Sequence, residues 1–270
     1  MILHKNAKKA NMIYGHRLLT IFFIVIWVIG LHVELQAQGS AGSAAKMPRM
    51  SIVEMPSARI LPKGAYKVDG LIMQSSGLVS SFVFGIEKNV NFGISYSLVP
   101  FLGEGTPDLQ KFPLFEVKAR LFSEKGNMPA IAIGVNTQGL GGWTSDDRFR
   151  FNAPGAYLVA SKNVKWEAGV LTIHAGGSYA LMPSPFKKSP IAFAGIEQSF
   201  YKNVTVAAEY IGTWNEDPAY CNNSGYLHCA IKYSPFKGVN IQLQLKDLLE
   251  SRVNADGLLR YAGVEYIGVF

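Results

Sequence analysis

The side chains suited to acid–base or nucleophilic chemistry are few and widely spaced. His174 and Ser178 fall on one face of a predicted strand. Four residues along a strand span about 13 Å, which is beyond hydrogen-bond reach. His228 could meet a serine only from another strand, and nothing in the sequence indicates such a contact. We therefore predict no catalytic residues and interpret the histidines as inward-facing residues of a β-structure.

Two acidic pairs, Asp146-Asp147 and Glu216-Asp217, lie between predicted strands. Carboxylates in loops could bind Ca²⁺ or bridge to lipopolysaccharide through cations. Solvated loop charges explain the same residues more simply, so no metal site is predicted.

Cys221 and Cys229 are the only cysteines, and a local disulfide between them remains open. Cys229 shares the parity of apolar neighbours in its strand, so its side chain is predicted to face outward. The sequence has no Cys-x-x-Cys spacing, phosphate-binding loop or dinucleotide fingerprint. No cofactor is therefore predicted.

Strand-like runs with period-two alternation recur along the chain from residue 65 onward. In residues 238–246, four apolar side chains alternate with four polar ones, as in a half-buried strand. The runs 155–162 and 190–199 alternate poorly, so their facing stays open. Twelve strands are predicted, with cores at 65–73, 79–86, 90–99, 113–122, 129–138, 155–162, 168–181, 190–199, 203–213, 225–233, 238–246 and 258–269.

A short turn motif recurs between these strands at a nearly fixed period. It reads Lys88-Asn89-Val90, Lys162-Asn163-Val164, Lys202-Asn203-Val204 and Lys237-Gly238-Val239, with a looser copy at 125–128. Asn and Gly suit tight hairpin turns, and Val restarts a strand. Because longer connections alternate with these turns, the pattern predicts an all-β, antiparallel up-and-down transmembrane barrel.

Polar and charged side chains on the alternating strands would be costly against lipid, so we predict that they face the barrel interior. Twelve strands lie between barrels filled by side chains and barrels with open channels, so a pore and a filled lumen both remain possible. The predicted lumen-lining residues are Lys67, Asp69, Glu116, Lys118, Arg120, Asn136, His174, Glu209, Lys232, Gln242, Gln244, Lys246 and Glu265.

The N-terminus has the pattern of an export signal. A basic stretch precedes a short apolar run at 18–31 and a small residue at Ala37, which predicts a cleaved signal peptide over 1–37. Residues 38–64 are interpreted as a periplasmic linker or N-terminal segment before the barrel at 65–270. Whether that segment plugs the barrel stays open.

Composition agrees with an exported barrel. Charged residues make up only 17% of the chain, against about 25% usually, which suits a protein with much apolar outer surface. The formal charge of +7 falls partly in the leader, and the other basic residues are scattered. We therefore predict no nucleic-acid partner.

The last strand ends in the aromatic Phe270, with Tyr266 on the same face. This ending resembles the signal read by the barrel assembly machinery of bacterial outer membranes. The predicted location is the outer membrane of a Gram-negative bacterium, with outer-membrane lipid and that machinery as partners.

The segment Pro56-Ser57-Ala58-Arg59, followed by Pro62-Lys63-Gly64, resembles the YjbH-like outer-membrane barrel family, which carries such a segment just before its first strand. Similar stretches occur at 92–96, 117–121 and 129–139. The resemblance implies a minimal single-barrel form and an association with exopolysaccharide production and export, with polysaccharide or export partners. It brings no catalytic residues.

These observations predict a non-enzymatic barrel that is either an accessory in surface polysaccharide export or a narrow pore. Two alternatives stay open. An outer-membrane lipid-modifying enzyme would need a polar triad meeting across strands at the outer rim. A structural or adhesive barrel would act through its extracellular loops.

Overall fold

The computed structural model describes residues 50–270 except 75, 104–105, 144–148, 168, 182–188, 201–202, 217, 223–224 and 254–256. The predicted signal peptide and residues 38–49 lie outside the described residues. Among the described residues there is no helix that could cross a membrane.

Fifteen strands are described, and twelve of them form one barrel. The barrel strands are all but the three shortest, which have two to four residues. In chain order they are β1 (Ala65–Ile72), β2 (Leu78–Glu87), β3 (Val90–Val99), β4 (Asp108–Leu109), β5 (Leu114–Phe122), β6 (Ala130–Asn136), β7 (Leu140–Trp143), β8 (Phe149–Phe151), β9 (Gly155–Trp166), β10 (Gly169–Tyr179), β11 (Ile191–Phe200), β12 (Val204–Ile211), β13 (Tyr226–Phe236), β14 (Val239–Lys246) and β15 (Leu259–Val269).

Each barrel strand pairs antiparallel with its neighbours along the chain. β1 pairs with β2 on one side and with β15 on the other, for example Asp69 with Ser81 and with Glu265. This pairing closes the sheet, and the predicted twelve-stranded up-and-down barrel is confirmed.

The outer face of the barrel is apolar. Exposed side chains on nearly every barrel strand point away from the lumen, among them Phe92, Phe115, Leu158, Ile196 and Leu243. The barrel has short turns at one end and longer connections at the other. An even strand number, an apolar outer band and this loop asymmetry are the features of a bacterial outer-membrane barrel, with the short turns in the periplasm. The chain is therefore an outer-membrane barrel.

One repeat of the turn motif does not form a turn. Lys162, Asn163 and Val164 lie inside β9, which runs on to Trp166. Glu124, in the β5–β6 turn, accepts hydrogen bonds from Lys162 Nζ (2.8 Å) and from the backbone N–H of Asn163 (3.2 Å). These contacts hold the polar pair in an extended strand, so the prediction of a turn here was wrong. At two other repeats, 88–89 and 237–238 are turns, and Lys202 lies outside the described residues.

Cys221 and Cys229 are free thiols, so the local disulfide left open by the sequence is not formed. Cys229 lies in β13, and the backbone of Cys221 forms an isolated antiparallel β-bridge with that of Arg252 between two outer loops.

The C-terminal Phe270 belongs to an aromatic group at the periplasmic end. Its ring lies 4.8 Å from that of Tyr66 and 6.0 Å from that of Phe84, between centroids. Its N–H donates to the carbonyl of Gly64, so the two ends of the barrel chain are tied together. Recognition of this end by the assembly machinery stays a prediction.

Replacing Phe270 with alanine is expected to lower the free energy of unfolding by about 1–2 kcal/mol, because two aromatic contacts are lost. Urea titration of the detergent-folded protein measures the change. Phe112→Ala is the control, because Phe112 is exposed in an outer loop. Equal unfolding midpoints for the two variants would contradict the prediction.

Candidate functional site: the luminal hairpin and the polar lumen

The lumen is occupied by residues 50–62, which we call the luminal hairpin. Ser51 and Pro56 pair as an antiparallel bridge, and the N–H of Ile52 donates to the carbonyl of Met55 (2.8 Å). Met50 and Leu61 pack together near the periplasmic end with Ala65 and Ile267. Both legs therefore lie towards the periplasmic end, and the tip points towards the extracellular loops.

Glu209 on β12 holds the tip of the hairpin. Its carboxylate accepts hydrogen bonds from three successive backbone N–H groups, those of Val53 (3.0 Å), Glu54 (2.7 Å) and Met55 (3.1 Å). A tight turn leaves such groups without backbone partners, and burying them unpaired would be costly. A single carboxylate of the barrel wall therefore supplies hydrogen-bond acceptors for three backbone N–H groups of the turn.

Glu54, at the tip, connects the hairpin to β13 and β14. Its Oε2 accepts a hydrogen bond from Lys246 Nζ at 2.7 Å and lies 3.5 Å from His228 Nε2. All three side chains are almost fully buried. Isolated burial of any of these charges would be costly, so the ion pair depends on the hairpin being in place.

Arg59 anchors the returning leg. Its Nη1 lies 2.6 Å from Glu197 Oε1 on β11, and its Nη2 donates to Thr172 Oγ1 on β10 at 3.1 Å. The side chains of Arg59 and Glu197 are 5% and 2% exposed, which makes this a buried ion pair. Removing either partner of such a pair is far more costly than removing a surface pair.

Ser161 and His174 form a nucleophile–base contact of the kind sought in the sequence. Ser161 Oγ on β9 lies 2.8 Å from His174 Nδ1 on β10, and the N–H of Ala58 donates to the same oxygen at 2.9 Å. The partner of His174 is thus not Ser178. Because the pair faces the lumen beneath the hairpin, it is not in position to meet a lipid at the outer rim.

An aromatic lid covers the hairpin tip from the extracellular side. Phe151 is buried and packs edge-on against Tyr226 and His228. Lys246 Nζ lies 5.8 Å from its ring centroid and Arg252 Cζ lies 4.8 Å from it. Cations at these distances over an aromatic face are attracted to it.

All thirteen residues predicted to line the lumen occupy inner-face positions, and the structure brings them together in groups. Lys67 pairs with Asp69 at 2.5 Å, Lys232 with Glu265 at 2.6 Å and Lys118 with Glu116 at 3.6 Å. Glu209 binds the hairpin backbone, and His174 contacts Ser161 beside the hairpin. Arg120 lies at the periplasmic rim next to Asn89. The remaining four residues line the wall of the lumen: Asn136, Gln242, Gln244 and Lys246.

Sequence reasoning missed several residues of the site, among them the three charged residues Glu54, Arg59 and Glu197. Glu197 lies on β11, where small residues obscure the alternation. Glu54 and Arg59 precede the first strand and have no periodic pattern. Their wall partners lie more than a hundred residues away, at Lys246 and Glu197, so no local signal was present.

The predicted acidic loop pairs are only partly described. Asp146, Asp147 and Asp217 lie outside the described residues, whereas Glu216 accepts a hydrogen bond from Asn152 Nδ2 at 2.7 Å. Calcium or lipopolysaccharide binding there stays untested.

The hairpin leaves a polar cavity of about 140 Å³ along the wall formed by β1–β3, β5, β6 and β13–β15. Paired charges, amides and hydroxyls line it, and Leu71, Val79 and Val83 add an apolar strip. The lumen is thus narrowed by the hairpin and is not filled completely.

No protein-family model and no curated protein matches the sequence. Among solved structures the chain is similar to the KdgM porin, with 14% identity and a TM-score of 0.46 over 75% of this chain and 98% of that one. It is also similar to the NanC porin, with 10% identity and a TM-score of 0.42 over 74% of this chain and 98% of that one. A third similar structure is the outer membrane protein Omp33 of Acinetobacter baumannii, with 9% identity and a TM-score of 0.42 over 76% of this chain and 97% of that one. These likenesses assign the chain to no family.

Proposed function

We propose that this chain is a non-enzymatic outer-membrane barrel that forms a narrow pore for polar solutes, closed by its luminal hairpin. The observation that carries the proposal is the way the hairpin is held. Glu209, Glu197, Lys246 and Lys118 on the wall each bind a polar group of the hairpin. If the hairpin leaves, these wall groups can be hydrated, and the space left is polar.

Apolar contacts with the barrel wall also stabilise the hairpin in the lumen. Ile52, Val53 and Met55 are buried against the wall together with Phe193 and Ile211. Each such side chain contributes about 1.5–3 kcal/mol when fully buried. The closed state is therefore expected to predominate in the isolated protein.

Removing residues 38–62 is expected to convert a silent protein into one that shows discrete conductance steps in planar lipid bilayers. The reason is that the described part of this segment occupies much of the lumen and is proposed to close it. The intact mature chain is the comparison, and heat-modifiable migration in gels establishes that both proteins are folded. Steady conductance through the intact protein, or silence from both, would contradict a hairpin-gated pore.

The resemblance to YjbH-like barrels supports a second proposal, a role in surface polysaccharide export. The residues that carry the resemblance form the returning leg, where Ser57, Ala58 and Arg59 are all buried. Loss of surface polysaccharide from a strain lacking the gene, restored by the wild-type chain but not by Arg59→Met, would support this role. Unchanged surface polysaccharide would contradict it.

A further inference from the structure

The polar cavity beside the luminal hairpin has the size of a small-solute site. It is bounded by the hairpin on one side and by the inner faces of β1–β3, β5, β6 and β13–β15 on the other. A volume of about 140 Å³ holds on the order of ten water molecules. This is space for one solute of roughly the size of a single hexose unit.

The charges around the cavity are matched one to one. Lys67 pairs with Asp69, Lys232 with Glu265, and Lys246 with Glu54 of the hairpin. A further pair, Lys118 with Glu116, lies at the wall. An anionic or cationic solute would bring an unmatched charge into this balanced surface, which disfavours charged solutes.

The neutral polar groups favour a ligand with hydroxyl groups. Asn136, Gln138, Gln242 and Gln244 present amides, which both donate and accept hydrogen bonds, as a hydroxyl group does. Leu71, Val79 and Val83 add an apolar strip that suits the C–H face of a polyol ring. Small-molecule sites commonly combine apolar lining with a few polar groups that fix orientation.

Gln244 supplies an independent indication of a ligand. Its side chain is 3% exposed and lines the cavity. Within the described part of the chain no group donates a hydrogen bond to its Oε1. Because a buried acceptor left without a donor is costly, the amide would be stabilised by turning its Oε1 towards a hydroxyl group in the cavity.

We propose that this cavity binds a neutral, hydroxyl-rich solute of about one sugar unit. The inference names the solute class of the proposed pore and so rests on that proposal. Binding is measured on the closed barrel, whereas the pore is tested by conductance without residues 38–62. The two can therefore fail separately.

The test is calorimetric titration of the intact, detergent-folded mature chain with three probes: glucose, glucuronate and glucosamine. Glucose is expected to bind at least about tenfold more tightly than either charged probe, because one mismatched interaction near 1.4 kcal/mol gives that factor. Absence of glucose binding, or equal binding of all three probes, overturns the inference.

Gln244→Leu locates the binding. This change removes the amide at nearly constant volume and is expected to weaken glucose binding about tenfold. Gln198→Leu is the matched control, because Gln198 lies at the periplasmic end outside the cavity. If Gln244→Leu does not fold, Gln242→Leu is used with the same expectation. Unchanged affinity in the folded cavity variant overturns the inference, because the ligand would then bind elsewhere.

Discussion

Replacing Arg59 with methionine is expected to release the luminal hairpin and leave the barrel folded. The substitution leaves the buried Glu197 carboxylate without its guanidinium partner, at a cost of about 3–5 kcal/mol. The wall strands keep all of their backbone pairing when the hairpin leaves, and Glu197 can then be hydrated. Withdrawal of the hairpin is therefore the least costly response, and bursts of conductance through the full-length chain are the expected result.

Two further variants test whether charge is the cause. Combining Arg59→Met with Glu197→Gln removes both charges and is expected to restore most of the closure. Lys63→Met breaks a pair whose side chains are 65% and 62% exposed, and its effect on conductance and stability should be small. If Arg59→Met remains as silent as the Lys63 variant, the ion pair does not hold the hairpin.

Replacing Glu209 with alanine is the second change with a large expected effect. It leaves the three tip N–H groups without their shared acceptor, and each lost bond costs about 1–3 kcal/mol when the donor stays buried. Hydrogen exchange of residues 53–55 should accelerate by about a hundredfold or more, since 1.4 kcal/mol corresponds to a factor of ten. Mass spectrometry of peptic fragments measures this rate.

Glu167→Ala is the control for this experiment, because Glu167 is an exposed acid near the periplasmic end. Exchange in the barrel strands should stay slow in both variants, which separates release of the tip from general unfolding. Slow exchange of residues 53–55 in the Glu209 variant would show that the apolar contacts alone fix the tip.

The barrel was predictable because its signal is local. Period-two alternation in segments such as β5 and β14 determines both the strand and its facing, and the closed pairing follows from the order along the chain. The error at Lys162 has a physical cause. A Lys-Asn pair suits a turn when exposed, but here Glu124 and Thr172 bind it within a strand.

The hairpin could not be predicted, because its structure depends on partners brought close only by barrel closure. Val53 lies 156 residues from Glu209 and Arg59 lies 138 residues from Glu197. The apolar residues of 50–62 do not recur with the period of a strand or a helix, so this sequence is equally compatible with a linker. Only the wall charges, which needed inward partners, hinted that something polar fills the lumen.

Lys246 belongs to two structures at once, and this has a thermodynamic consequence. Its ammonium binds Glu54 of the hairpin, and it lies over the ring of Phe151 in the aromatic lid and over that of Tyr261 on β15. Linkage requires that any coupling between the two be reciprocal. If withdrawal of the hairpin loosens the lid, a molecule that displaces the lid from outside must weaken the binding of the hairpin by the same free energy. Lys246 would thus couple the binding of a molecule at the extracellular lid to the withdrawal of the hairpin towards the periplasm.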